Sequence, residues 1–123
     1  MIDLNFSELR TRSVERCEQV FHKLNDWSPT DWACAMAGEC GEACNAIKKI
    51  KRMETRTNTA KDPQTYEEAV SIVGDELADM VIYADLLAAR LGIDLGAAVV
   101  RKFNAVSERM RSTVFIQKGK SDE

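Results

Sequence analysis

Two pairs of carboxylates stand three residues apart in the chain, Glu39 with Glu42 and Glu76 with Asp79. On an α-helix, residues at i and i+3 differ by about 60° around the axis and about 4.5 Å along it, so each pair shares a face. Apolar residues flank both pairs. Carboxylates gathered in a partly desolvated groove repel one another unless they are protonated or bind a cation. The pattern therefore predicts a divalent metal site where two helices face each other.

All-oxygen ligands favour Mg²⁺, or Mn²⁺, over zinc. The chain holds one histidine, His22, and no C-x-x-C pair, which argues against zinc and di-iron sites. Because Mg²⁺ keeps coordination positions that phosphate oxygens and water can fill, a phosphate-bearing substrate is expected. The competing interpretation is that each acidic pair only presents a solvated helix face.

The elements that must position these acids are predicted to be helices, because apolar residues recur at spacings of three and four. At 123 residues the chain forms one domain. Four helices are expected, over about residues 5–24, 30–52, 64–91 and 95–110. Thr30 is the expected cap of the second, and Asp62 with Pro63 the expected start of the third. Residues 54–61 contain almost nothing apolar and are expected to form a solvated, mobile connection.

The predicted third helix is about 42 Å long, which is long for a domain of this size. Its buried side is expected to consist of apolar residues at helical spacing: Val70, Val73, Leu77, Met80, Val81, Ala84, Leu87 and Leu91. Gly74 lies inside the helix, where glycine costs about 1 kcal/mol relative to alanine. Either the helix breaks, or a partner covers it. A homodimer or homotetramer is the preferred explanation.

Composition excludes several classes of protein. A net charge of −3 provides no global positive field for nucleic acid, so no nucleic-acid partner is expected. No apolar run reaches the roughly 18 residues that span a bilayer, and the N-terminal residues lack the pattern of a signal peptide. A cytoplasmic protein with no membrane partner is expected. The four cysteines should then stay reduced and pack as small apolar residues.

The run Gly-Glu-Cys-Gly-Glu-Ala at 38–43, followed by Asp-Glu-Leu-Ala-Asp-Met-Val-Ile-Tyr at 75–83, resembles the paired motifs of a known family. These are the MazG-like all-α nucleoside triphosphate pyrophosphohydrolases, a dUTPase-related superfamily that includes dCTP pyrophosphatases. The resemblance covers about residues 14–110. It implies a four-helix bundle over residues 1–112, assembled as a dimer or tetramer, with a polar tail at 113–123. It also implies Mg²⁺-dependent hydrolysis of a nucleoside triphosphate substrate to the monophosphate and pyrophosphate.

Carried over by position, the resemblance implies that Glu39, Glu42, Glu76 and Asp79 are metal ligands. Water that attacks the α-phosphorus must lose a proton, and a carboxylate that touches this water can accept it. Glu39 and Glu42 are the candidates for this catalytic role. The residues alone do not choose between them.

Phosphate contacts are expected from three basic residues. Lys49 lies seven residues from Glu42 and so near its stripe, while Lys102 and Arg109 match the closing basic motif of the family. The alternative for these residues is a solvated helix end. The sequence assigns no definite role to His22 or Asn104.

Trp27, Trp32 and Tyr83 are the candidates for stacking on a nucleobase. Core packing is the alternative for all three, and is slightly preferred for Trp32. The alternative for the whole protein is a non-catalytic helical module that binds a nucleotide or another protein.

Overall fold

The computed structural model describes residues 1–117, and this part of the chain contains helices and no strand. The helices are α1 (Phe6–Val20), α2 (Pro29–Glu54), α3 (Tyr66–Arg90) and α4 (Leu95–Arg109), with one 3-10 turn at Leu24–Asp26. The all-α prediction with four helices is confirmed. None of the described helices is both long enough and apolar enough to cross a membrane.

Side-chain caps fix where the helices begin. Asn5 and Asp94 cap α1 and α4, as expected. The predicted cap of α2 is wrong: Ser28 accepts a hydrogen bond from the Asp31 amide while Asp31 accepts one from the Ser28 amide. Pro29 then occupies the first helical position, where its missing N–H is not needed. The cap of α2 therefore lies two residues before Thr30.

The predicted start of α3 is also wrong, because Asp62 binds a distant residue instead of capping a helix. Its carboxylate accepts two hydrogen bonds from the Arg52 guanidinium, at 3.1 and 2.8 Å, and one from the Thr59 amide at 3.0 Å. These bonds hold the pKa of Asp62 at about 2. Thr65 caps α3 in its place. The connection is exposed over residues 54–61, as expected, and is fastened at its end to α2.

Helices α2 and α3 form the main contact of the fold and run antiparallel. Trp32, early in α2, packs near Tyr83, late in α3, whereas Glu42 lies beside Glu76 nearer the connection. The core where the two helices meet α1 is centred on Cys17, Trp32 and Leu86. Because both helices run unbroken past the two acidic pairs, they bring these pairs to the same level.

The α3–α4 turn closes on Gly92, the residue predicted to end α3. Gly92 has φ +69°, and the Ile93 amide donates to the Ala88 carbonyl at 2.8 Å, which satisfies the last turn of the helix. Arg10 of α1 holds this turn. It donates to both carboxylate oxygens of Asp85 at 2.9 Å and to the Ile93 carbonyl at 2.8 Å.

Helix α4 packs mainly against α1. A Cβ added at Gly96 would lie 3.3 Å from the Cβ of Phe6, so the missing side chain permits this close contact. Beyond α4, Asn104 accepts from the Ile116 amide at 2.8 Å and donates to the Ile116 carbonyl at 2.9 Å. Of the predicted tail at 113–123, residues 118–123 lie outside the described residues.

The expected buried side of α3 is corrected by the structure. Val70, Leu77, Val81 and Leu91 are each more than two fifths exposed, while the fully buried residues of α3 are Ala69, Asp85, Leu86 and Ala88. In a single chain, α1 and α2 cover only one side of α3, so much of its apolar stripe has no neighbour. The helix does not break at Gly74.

The cysteine prediction is correct for one residue only. Cys17 is 3% exposed and belongs to the core, whereas Cys34 and Cys44 are exposed on α2 and Cys40 is half-buried. All four are free thiols. The exposed cysteines lie on helix faces that no other element covers.

Asp85→Asn should lower the free energy of unfolding by about 3 kcal/mol, because it breaks a bidentate pair whose carboxylate is 1% exposed. Urea unfolding at pH 7 measures the loss. The matched control is Glu15→Gln, which breaks the exposed pair with Arg12 and should cost less than about 1 kcal/mol. Equal losses for the two variants would contradict an anchoring role for Asp85.

Candidate metal centre and aromatic cleft

Three of the four predicted acids converge between α2 and α3. One carboxylate oxygen from each of Glu39, Glu42 and Glu76 lies within 4.8 Å of the other two. Glu39 and Glu76 are half-buried, and Glu42 is exposed at the edge of the group. We call these three residues the acid cluster.

The acid cluster lacks the partners that buried carboxylates normally have. Glu39 Oε2 and Glu76 Oε2 are both buried and accept no hydrogen bond. Buried polar atoms are almost always paired, since an unpaired one keeps the full penalty of leaving water. A bound cation would interact favourably with both atoms and would offset their repulsion with the third carboxylate.

Electrostatics within the cluster favour protonation or a cation. Burial raises the pKa of Glu39 above its ordinary value, and the charges of Glu42 and Asp79 raise it further. Burial also raises the pKa of Glu76, followed by the charge of Glu42 and a hydrogen bond with it. The donor set consists of oxygen atoms alone, so the cluster fits a hard divalent cation such as Mg²⁺ or Mn²⁺.

Asp79, the fourth predicted ligand, lies beside the acid cluster but outside it. Its charge contributes to the raised pKa of Glu39 and of Glu76, so the distance is short. Its side chain lines a neighbouring cleft of about 400 Å³. Asp79 therefore stands between the acid cluster and this cleft.

Aromatic rings line the cleft, and two of the three predicted stacking residues are accessible there. The centroid of the Trp27 ring lies 4.5 Å from that of His22 and 4.7 Å from that of Trp32. The ring centroids of Trp32 and Tyr83 are 6.2 Å apart. Trp27 and Tyr83 are half-buried. Trp32 is 2% exposed and donates to the Leu24 carbonyl at 3.0 Å, so it supports the other rings from the core.

Tyr83 connects the cleft to the acid cluster. Burial raises its pKa, and so do the charges of Glu39 and Asp79. Glu76, Asp79 and Tyr83 follow one another along α3 at spacings of three and four, which places them on one face. The cleft and the acid cluster therefore adjoin each other along α3.

Helix side chains fasten the segment that carries His22 and Trp27. Cys17 Sγ donates to the His22 carbonyl at 3.3 Å, and Arg90 Nε donates to the Trp27 carbonyl at 2.9 Å. Arg90 is in the last turn of α3. The bond from Arg90 therefore joins the segment with Trp27 to the helix that also carries Glu76 and Asp79.

The three predicted phosphate contacts lie away from the cleft. Lys49 is close enough to Asp62 for its charge to contribute to the lowered pKa of that acid. Lys102 and Arg109 lie on α4, which packs mainly against α1, and Lys102 borders an apolar groove formed by α4 itself. Within one described chain, none of the three lines the cleft.

Sequence reasoning missed Arg16, which lines the cleft together with Asp79 and Tyr83. It lies on α1 next to the core residue Cys17. The local signal for it was weak, because an exposed arginine on an amphipathic helix is ordinary. Only the packing of α1 against α3 places this residue beside the acids.

No protein family model matches the chain. The chain is similar to dCTP pyrophosphatase 1 of Mus musculus, with 28% identity over 111 residues. The matched region covers 86% of this chain and 61% of that protein. The chain thus spans about three fifths of the length of the curated relative.

Glu76→Gln should stabilise the metal-free protein at neutral pH. Because its pKa is higher in the folded than in the unfolded state, ionisation of Glu76 removes stability as the pH rises from about 4.5. The glutamine variant should lack this loss. Thermal unfolding at pH 4 and pH 7 in EDTA measures the difference.

The same variant should lose stabilisation by metal. With Mn²⁺ at one hundred times its Kd, wild type should gain about 2.7 kcal/mol, and Glu76→Gln much less. The matched control is Asp75→Asn, an exposed neighbour outside the acid cluster, which should behave as wild type. An undiminished Mn²⁺ effect in Glu76→Gln would contradict the metal site.

Arg90→Met should loosen the segment at residues 22–28 by removing its bond from α3. Loss of one hydrogen bond worth about 1 kcal/mol should speed amide exchange in this segment about fivefold. Iodide should also quench tryptophan fluorescence more strongly, mainly through Trp27. Arg101→Met removes an exposed arginine of α4 and serves as the control. If amide exchange and iodide quenching are unchanged in Arg90→Met, the hydrogen bond from Arg90 does not hold this segment in place.

Proposed function

We propose that this chain is a Mg²⁺-dependent nucleoside triphosphate pyrophosphohydrolase, which converts a (d)NTP to the (d)NMP and pyrophosphate. The observation that carries the proposal is the acid cluster, with two buried oxygens that accept no hydrogen bond. The similarity to a protein named dCTP pyrophosphatase supports the choice of reaction.

The cleft suits the nucleoside end of such a substrate. A base would stack on Trp27 or Tyr83, with Trp32 behind them, and aromatic stacking contributes about 1 to 3 kcal/mol per base. The phosphates would then extend past Asp79 toward the acid cluster. This orientation follows from Asp79 and Tyr83, which lie between the two parts of the site.

Glu39, Glu42 and Glu76 would hold the metal, with Asp79 completing the set. When bound, Mg²⁺ would supply Lewis-acid stabilisation of the charge that develops on the phosphate oxygens. The buried unpaired oxygens of Glu39 and Glu76 supply the negative charge that such an ion requires. The opposite edge, at Glu42, is exposed to solvent and leaves access for water.

Glu39 is the preferred proton acceptor of the two catalytic candidates. Its charge contributes to the raised pKa of Tyr83, and this supports a position for Glu39 on the cleft side of the acid cluster. Water attacks the α-phosphorus, the bond from that phosphorus to the bridging oxygen breaks, and pyrophosphate leaves. The proton released by the water passes to the Glu39 carboxylate. Glu42, which is exposed, remains a ligand in this scheme.

Self-association belongs to the same proposal. The chain exposes 9293 Å² of surface, whereas a compact monomer of 13.8 kDa exposes about 6,600 Å². Exposed apolar residues on α3 and α4, such as Leu77 and Phe103, provide the surface that a second copy would cover. In a homodimer or homotetramer, Lys49, Lys102 and Arg109 would contact phosphates by reaching a neighbouring site. A cytoplasmic location agrees with this nucleotide chemistry.

A panel of canonical and modified (d)NTPs tests the function. With Mg²⁺, we expect pyrophosphate and the monophosphate in equal amounts, and no turnover in EDTA. Glu76→Gln should reduce the rate by about two orders of magnitude, the loss typical of one group that stabilises transition-state charge. Asp75→Asn should retain activity.

Other products would contradict the proposal in distinct ways. Release of orthophosphate would indicate cleavage between the β- and γ-phosphates. Nucleotide binding without turnover, measured by calorimetry, would favour the alternative of a non-catalytic binding module. Full activity in Glu76→Gln would separate catalysis from the acid cluster.

A further inference from the structure

The cleft carries an arginine that the fold does not use. Among the described residues that line it, Arg16 is the only lysine or arginine. The other lining residues are aromatic, aliphatic or small, apart from His22 and Asp79. Any anionic group that enters the cleft therefore meets one permanent cation.

Other arginines near the core are committed to structural partners. Arg10 holds Asp85, Arg52 holds Asp62, and Arg90 holds the Trp27 carbonyl. In the described part of the chain, Arg16 has neither an ion pair nor a hydrogen bond. It is thus an exposed guanidinium with all of its donors available to a ligand.

Arg16 lies close to the acidic end of the cleft. Its charge acts on the Tyr83 hydroxyl in the opposite direction to the charges of Glu39 and Asp79. A triphosphate beside these acids is repelled by them, and one divalent ion offsets only part of the charge. A guanidinium can offset the rest of the phosphate charge, since its planar fork donates two parallel hydrogen bonds to phosphate oxygens.

We infer that Arg16 is a phosphate-binding residue of this site, which holds oxygens of the substrate's polyphosphate at the boundary between the aromatic cleft and the acid cluster. This inference rests on the proposed function. It adds a phosphate contact from α1 of the same chain to those proposed above for Lys49, Lys102 and Arg109 of a neighbouring copy. It also gives α1 a direct role in substrate binding.

Isothermal titration with two probes tests the inference without turnover. The probes are α,β-imido-dCTP, which resists cleavage at the α-phosphorus, and deoxycytidine, which has no phosphate, each with Mg²⁺ present. Arg16→Gln should weaken binding of the triphosphate analogue about 10- to 100-fold, the value of a charged hydrogen-bonding pair. Deoxycytidine affinity should change less than about twofold. Arg16→Lys should fall between wild type and Arg16→Gln.

Arg12→Gln is the matched control. Arg12 lies one turn earlier on α1, borders the adjacent groove together with Arg16, and does not line the cleft. This variant removes the same charge and should bind the analogue as wild type does. If Arg12→Gln weakens binding of the analogue as much as Arg16→Gln does, the effect comes from the positive charge of α1 in general. That result would overturn the inference.

Two further results would also overturn it. Unchanged analogue affinity in Arg16→Gln excludes a phosphate contact. Equal weakening for analogue and deoxycytidine shows that Arg16 acts on the nucleoside end or on the shape of the cleft. The wild-type titration keeps the two proposals apart, because its affinity for the analogue tests nucleotide binding itself, whereas the difference between variants tests Arg16.

Discussion

Repulsion among three carboxylates is the constraint on which the rest of this structure depends. Glu39, Glu42 and Glu76 are held close together, although the buried Oε2 atoms of Glu39 and Glu76 accept no hydrogen bond. Packing on both sides of the acid cluster offsets this cost. On one side α2 and α3 meet in the core around Trp32, and on the other Asp62 fastens the connection to Arg52. These contacts keep the backbones of α2 and α3 together on either side of the acids.

Helix α3 determines how the two parts of the site relate to each other. Glu76 and Tyr83 lie seven residues apart on one face, a separation of about 10.5 Å along the axis. Because Glu76 and Tyr83 belong to one unbroken helix, the acid cluster and the aromatic side of the cleft keep this spacing. Arg90 ties the segment with Trp27 to the same helix. A ligand that reaches both parts must therefore match a distance fixed by α3.

The sequence predicted those features that follow from local spacing. Helical periodicity identified four helices, and the i, i+3 pairs identified three acids that converge, together with Asp79, which lies beside them. Local pattern failed where a tertiary contact decided the outcome. Asp62 followed by Pro63 is typical of a helix start, but the distant Arg52 binds this carboxylate. The exposed apolar stripe of α3 has a similar explanation, because periodicity identifies an apolar face without indicating what covers it.

Charge placement separates the structural acids of this protein from the acids of the site. Asp85 and Asp62 are buried, and each binds an arginine through two hydrogen bonds, as buried carboxylates generally require. Glu39 and Glu76 also carry buried oxygens, yet within residues 1–117 no arginine or lysine binds these atoms. The uncommitted guanidinium of Arg16 lies at the cleft rather than in the cluster. A fold that pairs its other buried acids so completely leaves these unpaired where a divalent ion and a polyphosphate would supply the missing interactions.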